Sequence, residues 1–546
     1  MIGGGQVGLV AVLAVPALGA AVLALLPARA DRAARGVGTA FAAVTFGITV
    51  LLGARGPVVT DGRLLGPQDP VGWFRYGSGA GPPAVLPWHQ LDLPWVPALQ
   101  LRFHLGVDGI SYPLVVLTGL LTLLCCAYTM SKAPGGRSGR SLVALLLVVE
   151  VGILGTFLAL DLVLFFLFFE VVLLPMYAVI AGWGGDDAGM PRRYADYLPS
   201  PSGVGVAVPS GAARAAARKF ALYTLFGSVL LLVGVFTVVA AAGTADIVTL
   251  TGGSGLSHGV QLAAFTLFAL AFAVKSPLWP LHSWLPDAHT QAPTVGSVIL
   301  AGVLLKMGTY GLIRIGVGVT PQGVRWAGPV LAVLAVAAIG VGSLVCLAQY
   351  ELKRLIAYSS VGHMGFVLLG IATGTATGIS AALIGNVAHG VITGLLFFLA
   401  GGIKDRTHTG DLAELGGLRE TNPRLAGLLG FAAVASLGLP GLAGFWGEAF
   451  AVFAAVRRGG PFWLTLAVLA AIGGALTAAY FLRLLRRVSH GTATPVVAGL
   501  GPGVAAVEWL AWAPLVLLAL AVGLVPALVL GMAGDPVRAL LSAVSP

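Results

Sequence analysis

Two lysines stand inside long apolar stretches of this sequence, Lys275 in AFAVKSPLWPLHSW and Lys306 in ILAGVLLKMGTYGLI. A lysine at the centre of a membrane helix costs roughly 2.5–3.5 kcal/mol even on the lenient insertion scale. Pro277 and Pro280 follow the first lysine and would free backbone carbonyls beside it. A desolvated base next to a helix break suits proton exchange, because burial and nearby charges move its protonation equilibrium. Two deep acids match the lysines. Glu170 lies in LDLVLFFLFFEVVLLPMY, and Glu448 follows GLPGLAGFWG, where Pro440 and the glycines at 438, 441 and 444 interrupt an apolar run. A buried acid near a buried lysine titrates as a pair, which is what a switching proton carrier needs.

His363 in YSSVGHMGFVLLG and His389 in GNVAHGVITGLLFF add two imidazoles in neighbouring apolar segments, with Ser359, Ser360 and Asn386 nearby in sequence. Imidazoles relay protons near neutral pH. His282, seven residues after Lys275, could relay protons or cap a freed carbonyl. Glu150 in LLLVVEVGILG could line a water route or pair locally. Asp287, in LPDAHTQAP with His289, fits a residue that holds the end of the broken helix rather than one that moves protons. Blander readings exist for each group: a snorkelling lysine, a hydrogen-bonded acid, a satisfied histidine. Depth within apolar runs argues against them for Lys275, Lys306, Glu170 and Glu448.

The elements that position these groups are membrane helices. The chain has 546 residues, 58% hydrophobic and only 10% charged, and its mean hydropathy is +0.95. A soluble domain carries about 25% charged residues. The fold class is therefore an all-α polytopic membrane protein. About fourteen spans of roughly 20 residues fit the apolar pattern. Span seven, about 260–285, and span twelve, 424–457, are broken by proline and glycine. They lie five spans apart, so the spacing suggests two inverted five-helix repeats, each with one broken helix. The division expected is 1–130, three spans with a long external loop; 131–316, the first repeat; 317–490, the second; and 491–546, a C-terminal transmembrane helix. The tail of the 55–102 segment, LPWHQLDLPWVPALQLRF, reads as an interfacial strand or hairpin.

The net charge of +10 does not signal nucleic acid, because the cations sit between spans. Numbering the loops alternately puts twenty of the 31 Lys and Arg residues on one side and nine on the other, with Lys275 and Lys306 between. The positive-inside rule then places both termini outside. Arg314 is among the nine, counted as a cation flanking a helix end. Cys125, Cys126 and Cys346 lie in apolar runs and form no metal or disulfide pattern. No nucleotide loop, flavin site or quinone-reducing cluster is legible.

The stretch VKSPLWPLHSWLPDAHTQAPTVGSVILAGVLLKMGTYGLIR resembles the signature of the antiporter-like subunits of bacterial respiratory NADH–quinone oxidoreductase (complex I). That signature is shared with multisubunit Na⁺/H⁺ antiporters and membrane-bound hydrogenases. FFLFFEVVLLPMY, LKRLIAYSSVGHMGFVLLG, NVAHGVITGLLFFLAGG and GLPGLAGFWGEAF extend the likeness, collinearly, over about 105–490. Of the three such subunits, L, M and N, a glutamate at the second broken helix matches the M type. The 55–102 loop and the 196–213 insertion are longer than the family core needs.

The resemblance implies Glu170 and Lys275 as a regulating pair and Lys306 as the central carrier. It further implies His363 and His389 as elements of the connecting path, and Glu448 as the outer carrier. It implies proton translocation driven by quinone reduction elsewhere in a translocase assembly, with sister subunits L and N and other membrane subunits as partners. No cofactor is expected in this chain; NADH, FMN, iron–sulfur clusters and quinone belong to other subunits. Menaquinone is the expected quinone, because a composition rich in Gly, Ala and Arg with few lysines resembles high-GC bacteria. The location implied is the bacterial inner (plasma) membrane. A Na⁺/H⁺ antiporter or hydrogenase subunit, or a purely structural membrane spacer, are the competing readings.

Overall fold

The structure, a computed structural model, describes residues 4–53, 87–97, 101–131, 138–185, 211–501 and 503–544. Most of the 55–102 loop and of the 196–213 insertion lies outside the described residues. The chain is a helical bundle whose membrane-length elements run α1 Gly4–Leu25, α2 Asp31–Leu51, α3 Tyr112–Ser131, α4 Gly139–Leu158, α5 Leu162–Trp183 and α6 Ala212–Ala242. Span seven divides into α7 His258–Lys275 and α8 Trp284–Gln291. Then come α9 Thr294–Val317, α10 Pro321–Ala348, α11 Leu352–Ala372 and α12 Ala376–Thr407. Span twelve divides into α13 Pro423–Ser436 and α14 Ala443–Arg458, followed by α15 Gly460–Val488 and α16 Ala506–Leu524.

Thirteen helices among the described residues are long and apolar enough to cross a membrane. The broken pair α13–α14, whose halves are each too short to cross alone, supplies the remaining expected span, and with it fourteen are accounted for. One boundary differs. A single C-terminal transmembrane helix is expected within 491–546, but the helix there stops at Leu524, where Val525 and Pro526 interrupt it. A further helix, α17 Ala527–Val544, follows. Its Pro536, Asp535 and Arg538 lower its apolar character, which hid it in the sequence.

The hairpin expected before α3 is present: β1 His89–Val96 pairs antiparallel with β2 Leu101–Val107. Local caps set where helices begin. Asp161, between α4 and α5, accepts through Oδ1 from the N–H groups of Val163 and Leu164. Glu351 does the same for Arg354 N at α11, and Asn422 for Leu425 N at α13.

The two breaks are stabilised differently. At the first, Leu278 N–H donates to Ala273 O, and Trp284 Nε1 donates to Val274 O at 3.0 Å, so carbonyls released by the prolines are reused. At the second, Gly438 and Gly441 take φ of 70° and 91°, a left-handed region that admits glycine readily. Trp446 Nε1 then fastens α14 to Gly523 O of α16. The helices α9 and α12 are enclosed by protein along their apolar length. They form the axis around which the other spans pack. Glycine contacts bring this axis close to its neighbours: Gly302 of α9 against Gly390 of α12, and Gly385 of α12 against Gly447 of α14.

Candidate functional site: a buried relay between two broken helices

The axis helix α9 is not a regular α-helix around its lysine. Leu300–Leu304 and Leu312–Val317 are wound as π-helix on either side of the α-helical Leu305–Gly311. Such bulges release carbonyls from the usual ladder. Lys306 uses one: its Nζ donates to Ala301 O at 2.5 Å. The side chain is fully buried, and the other polar neighbour of its Nζ is His389 Nδ1, 2.6 Å away on α12. Neighbouring Thr309 donates to Asn386 Oδ1 at 2.9 Å, so two polar links join α9 to α12 at this depth.

From His389 the polar side chains continue sideways. The rings of His389 and His363 lie 5.8 Å apart between centroids, and His363 Nδ1 stands 2.7 Å from Glu448 Oε1. A cavity of about 30 Å³ touches His363, His389, Thr393, Ser436 and Glu448, and that is room for about two waters. The Nε2 atoms of both histidines have no protein hydrogen-bond partner. Lys306, His389, His363 and Glu448, drawn from four helices, thus form one side-chain row. Gly438 completes it. A Cβ there would come within 2.8 Å of Glu448 Oε2, so the glycine of the break makes room for the carboxylate as well as for the turn.

Lys275 ends α7 and is 2% exposed. Its Nζ sits 4.6 Å from the centroid of the Phe169 ring and makes no ion-pair contact with Glu170 within 4.0 Å. Glu170 instead accepts a short hydrogen bond from Ser228 Oγ of α6. The expected acid and base are therefore partnered separately, Glu170 by a hydroxyl and Lys275 by an aromatic ring.

Two candidates stand apart. Glu150 is fully buried on α4, and neither carboxylate oxygen has a hydrogen-bond partner. His282 lies in the turn between α7 and α8, with its ring 6.1 Å from that of Tyr358 and away from the Lys306 row. Asp287 anchors α8 on both sides, with Lys219 Nζ of α6 at 2.7 Å and Arg354 Nη1 of α11 at 3.5 Å.

Three further groups escaped the sequence reading. Ser228 carried no signal beyond one small polar residue in a long helix. His289, named only as part of the helix end, is fully buried and stacked on Phe397 at 4.4 Å between ring centroids. Arg314, counted as a cation at a helix end, is buried in a bidentate pair with Asp108, at 2.7 and 2.6 Å. Among the described residues no three His, Cys, Asp or Glu side chains are placed to hold a metal ion.

Residues 204–473 match the family described as "NADH:quinone oxidoreductase/Mrp antiporter, TM". A Rhodobacter capsulatus protein named NADH-quinone oxidoreductase subunit M is 40% identical over 462 residues, 82% of this chain and 84% of its own length. A Synechococcus protein named NAD(P)H-quinone oxidoreductase chain 4 1 is 41% identical over 408 residues, 73% of this chain and 72% of its own. Among solved structures, a chain of respiratory complex I from Thermus thermophilus superposes with a TM-score of 0.79 at 28% identity, covering 99% of this chain and 100% of that one. A chain of the Mrp complex from Dietzia shares the fold, with a TM-score of 0.75 at 24% identity over 97% of this chain and 52% of that one. On these matches the chain belongs to the subunit M (chain 4) family of NADH–quinone oxidoreductases, within the wider membrane family that also includes Mrp antiporters.

Proposed function

We propose that this chain translocates protons as an antiporter-like membrane subunit of an NADH–quinone oxidoreductase, with quinone reduction elsewhere in the complex as the driving reaction. The observation that carries this reading is the side-chain row Lys306–His389–His363–Glu448, with hydrogen-bond contacts of 2.6 and 2.7 Å at its two ends. Each member can hold or release a proton, and the small cavity between the histidines has room for the water that bridges the wider step. Lys275 and Glu170 lie beside the first break. A change in their charge state alters the field at the row, so they serve as the regulating pair.

The two breaks mark two five-helix units of opposite orientation, and the loop cations put the termini outside. The partners are the L and N sister subunits and other membrane subunits of the same complex, in a bacterial inner membrane. The redox groups, NADH, FMN, iron–sulfur clusters and quinone, act in other subunits. This chain then contributes translocation, not electron transfer.

The test is the initial rate of NADH-driven acidification in inverted membrane vesicles, normalised to assembled complex. Lys306→Ala should remove most of it. An assembled Lys306→Ala complex that pumps at the wild-type rate would overturn the reading.

A further inference from the structure

The row leaves Lys306 sideways, toward α12, although its own helix also leads from it to a face of the membrane. Tyr310 and Arg314 follow Lys306 at i+4 and i+8 on α9, on the ridge that leads to the start of α3. Both are buried. Tyr310 would be the natural next relay, but its hydroxyl is committed twice. It donates to Phe157 O at 2.9 Å and accepts from Arg314 Nε at 3.2 Å. Beyond it, Arg314 Nη2 meets both carboxylate oxygens of Asp108, whose Oδ1 also accepts from Ile110 N and Ser111 N at the start of α3. The helix α17 roofs this cluster. A Cβ on Gly109 would lie 1.9 Å from Met532 O, and one on Gly318 would lie 3.2 Å from Leu540 Cδ1.

We infer that the Arg314–Asp108 pair, with Tyr310 and the α17 roof, is a charge seal that closes the direct route between Lys306 and the α3-start face of the membrane. The inference builds on the reading of Lys306 as a proton carrier. A guanidinium stays charged at any working pH, so it repels hydronium in a low-dielectric surrounding without ever titrating itself. Asp108 fixes that charge in place and compensates its burial, while Arg314 Nε stays bound to the Tyr310 hydroxyl, one turn of α9 from Lys306. The seal forces a proton on Lys306 to take the lateral step to His389. It also blocks backflow into the row from the α3-start face. The C-terminal helix α17 backs this seal, with its Met532 carbonyl packed against Gly109 beside Asp108.

The test is passive proton conductance, measured without NADH, as the decay of an imposed pH difference in vesicles containing the assembled complex. Arg314→Gln alone leaves Asp108 buried and unpaired and risks misfolding. The working variant is therefore Asp108→Asn with Arg314→Gln, which keeps hydrogen bonding and the cap while removing both charges. Its conductance should rise about tenfold over wild type, and NADH oxidation should persist with a smaller steady pH difference. Arg314→Lys retains the charge and should stay as tight as wild type. A double variant as tight as wild type would overturn the seal, as would an Arg314→Lys complex that leaks equally. Because the leak is read without turnover, a failure of Lys306 as a carrier, seen in NADH-driven pumping, remains a separate result.

Discussion

His363 Nδ1 and Glu448 Oε1 lie 2.7 Å apart, joining α11 to the second half of the second broken helix across 85 positions of sequence. The contact makes the acid and the imidazole one hydrogen-bonded unit. Replacing Glu448 by Gln keeps the volume and a hydrogen bond but removes the exchangeable proton. Glu448→Gln should assemble and lose most NADH-driven acidification, whereas Glu448→Asp should keep part of it. The opposite order, with glutamine near normal and aspartate damaged, would mean that Glu448 only holds helices together.

The first break offers a graded test. Lys275→Ala should abolish most proton translocation in an assembled complex, because the charge near Glu170 disappears. Ser228→Ala removes only the hydroxyl that donates to Glu170 and should cost about 0.5–1.5 kcal/mol of support for that acid, a fall in rate of about two- to tenfold. Rates of vesicle acidification per assembled complex would rank wild type above Ser228→Ala and Ser228→Ala above Lys275→Ala. Equal rates for Lys275→Ala and wild type would remove the pair from the mechanism.

How much of this was legible in the sequence follows from how each group announces itself. Lys275, Lys306, Glu170 and Glu448 interrupt apolar runs, and membrane energetics makes such residues stand out one at a time. The breaks were legible because proline and glycine act locally. Pairings were not legible where the partners are distant and individually ordinary. Ser228 is one small hydroxyl in α6, and its role exists only because α6 passes Glu170. Arg314 looked like a loop-flanking cation because its partner, Asp108, lies 206 positions earlier. Glu150 is the converse case: conspicuous in sequence, and placed in the fold with no hydrogen-bond partner on either carboxylate oxygen.

The alternation of spans predicts a side for every loop. Contacts within the fold agree on neighbours, since the β1–β2 hairpin end and the start of α1 meet at His89 and Gly5. Single cysteines at Gln90 and at Ala413, both exposed, should label from opposite faces in a background without the three native thiols. Gln90→Cys should react in right-side-out vesicles with a membrane-impermeant maleimide, and Ala413→Cys only in inverted ones. Labelling of both from one face would remove a span from the count.

The distance between His363 and Glu448 depends on a contact that carries no charge. Gly447, next to the acid on α14, packs so closely on α12 that an added Cβ would lie 2.6 Å from Gly385 Cα. Backbone cannot yield as a flexible side chain can, so Gly447→Ala must push α14 away from α12. The overpacking should cost about 1–3 kcal/mol and lengthen the hydrogen bond that Glu448 makes to His363. A control separates this from a general effect of alanine. Gly427, on α13 of the same broken span, has nothing within 4 Å of its added Cβ, and Gly427→Ala should be neutral or stabilise by about 0.5–1 kcal/mol through helix propensity. The measurements are the thermal midpoint for loss of assembled complex and the acidification rate at a temperature well below it. Gly447→Ala should lower both, the rate more than stability alone explains, and Gly427→Ala should lower neither. If Gly447→Ala melts and pumps like wild type, the close approach of α14 to α12 does not set the geometry of the row.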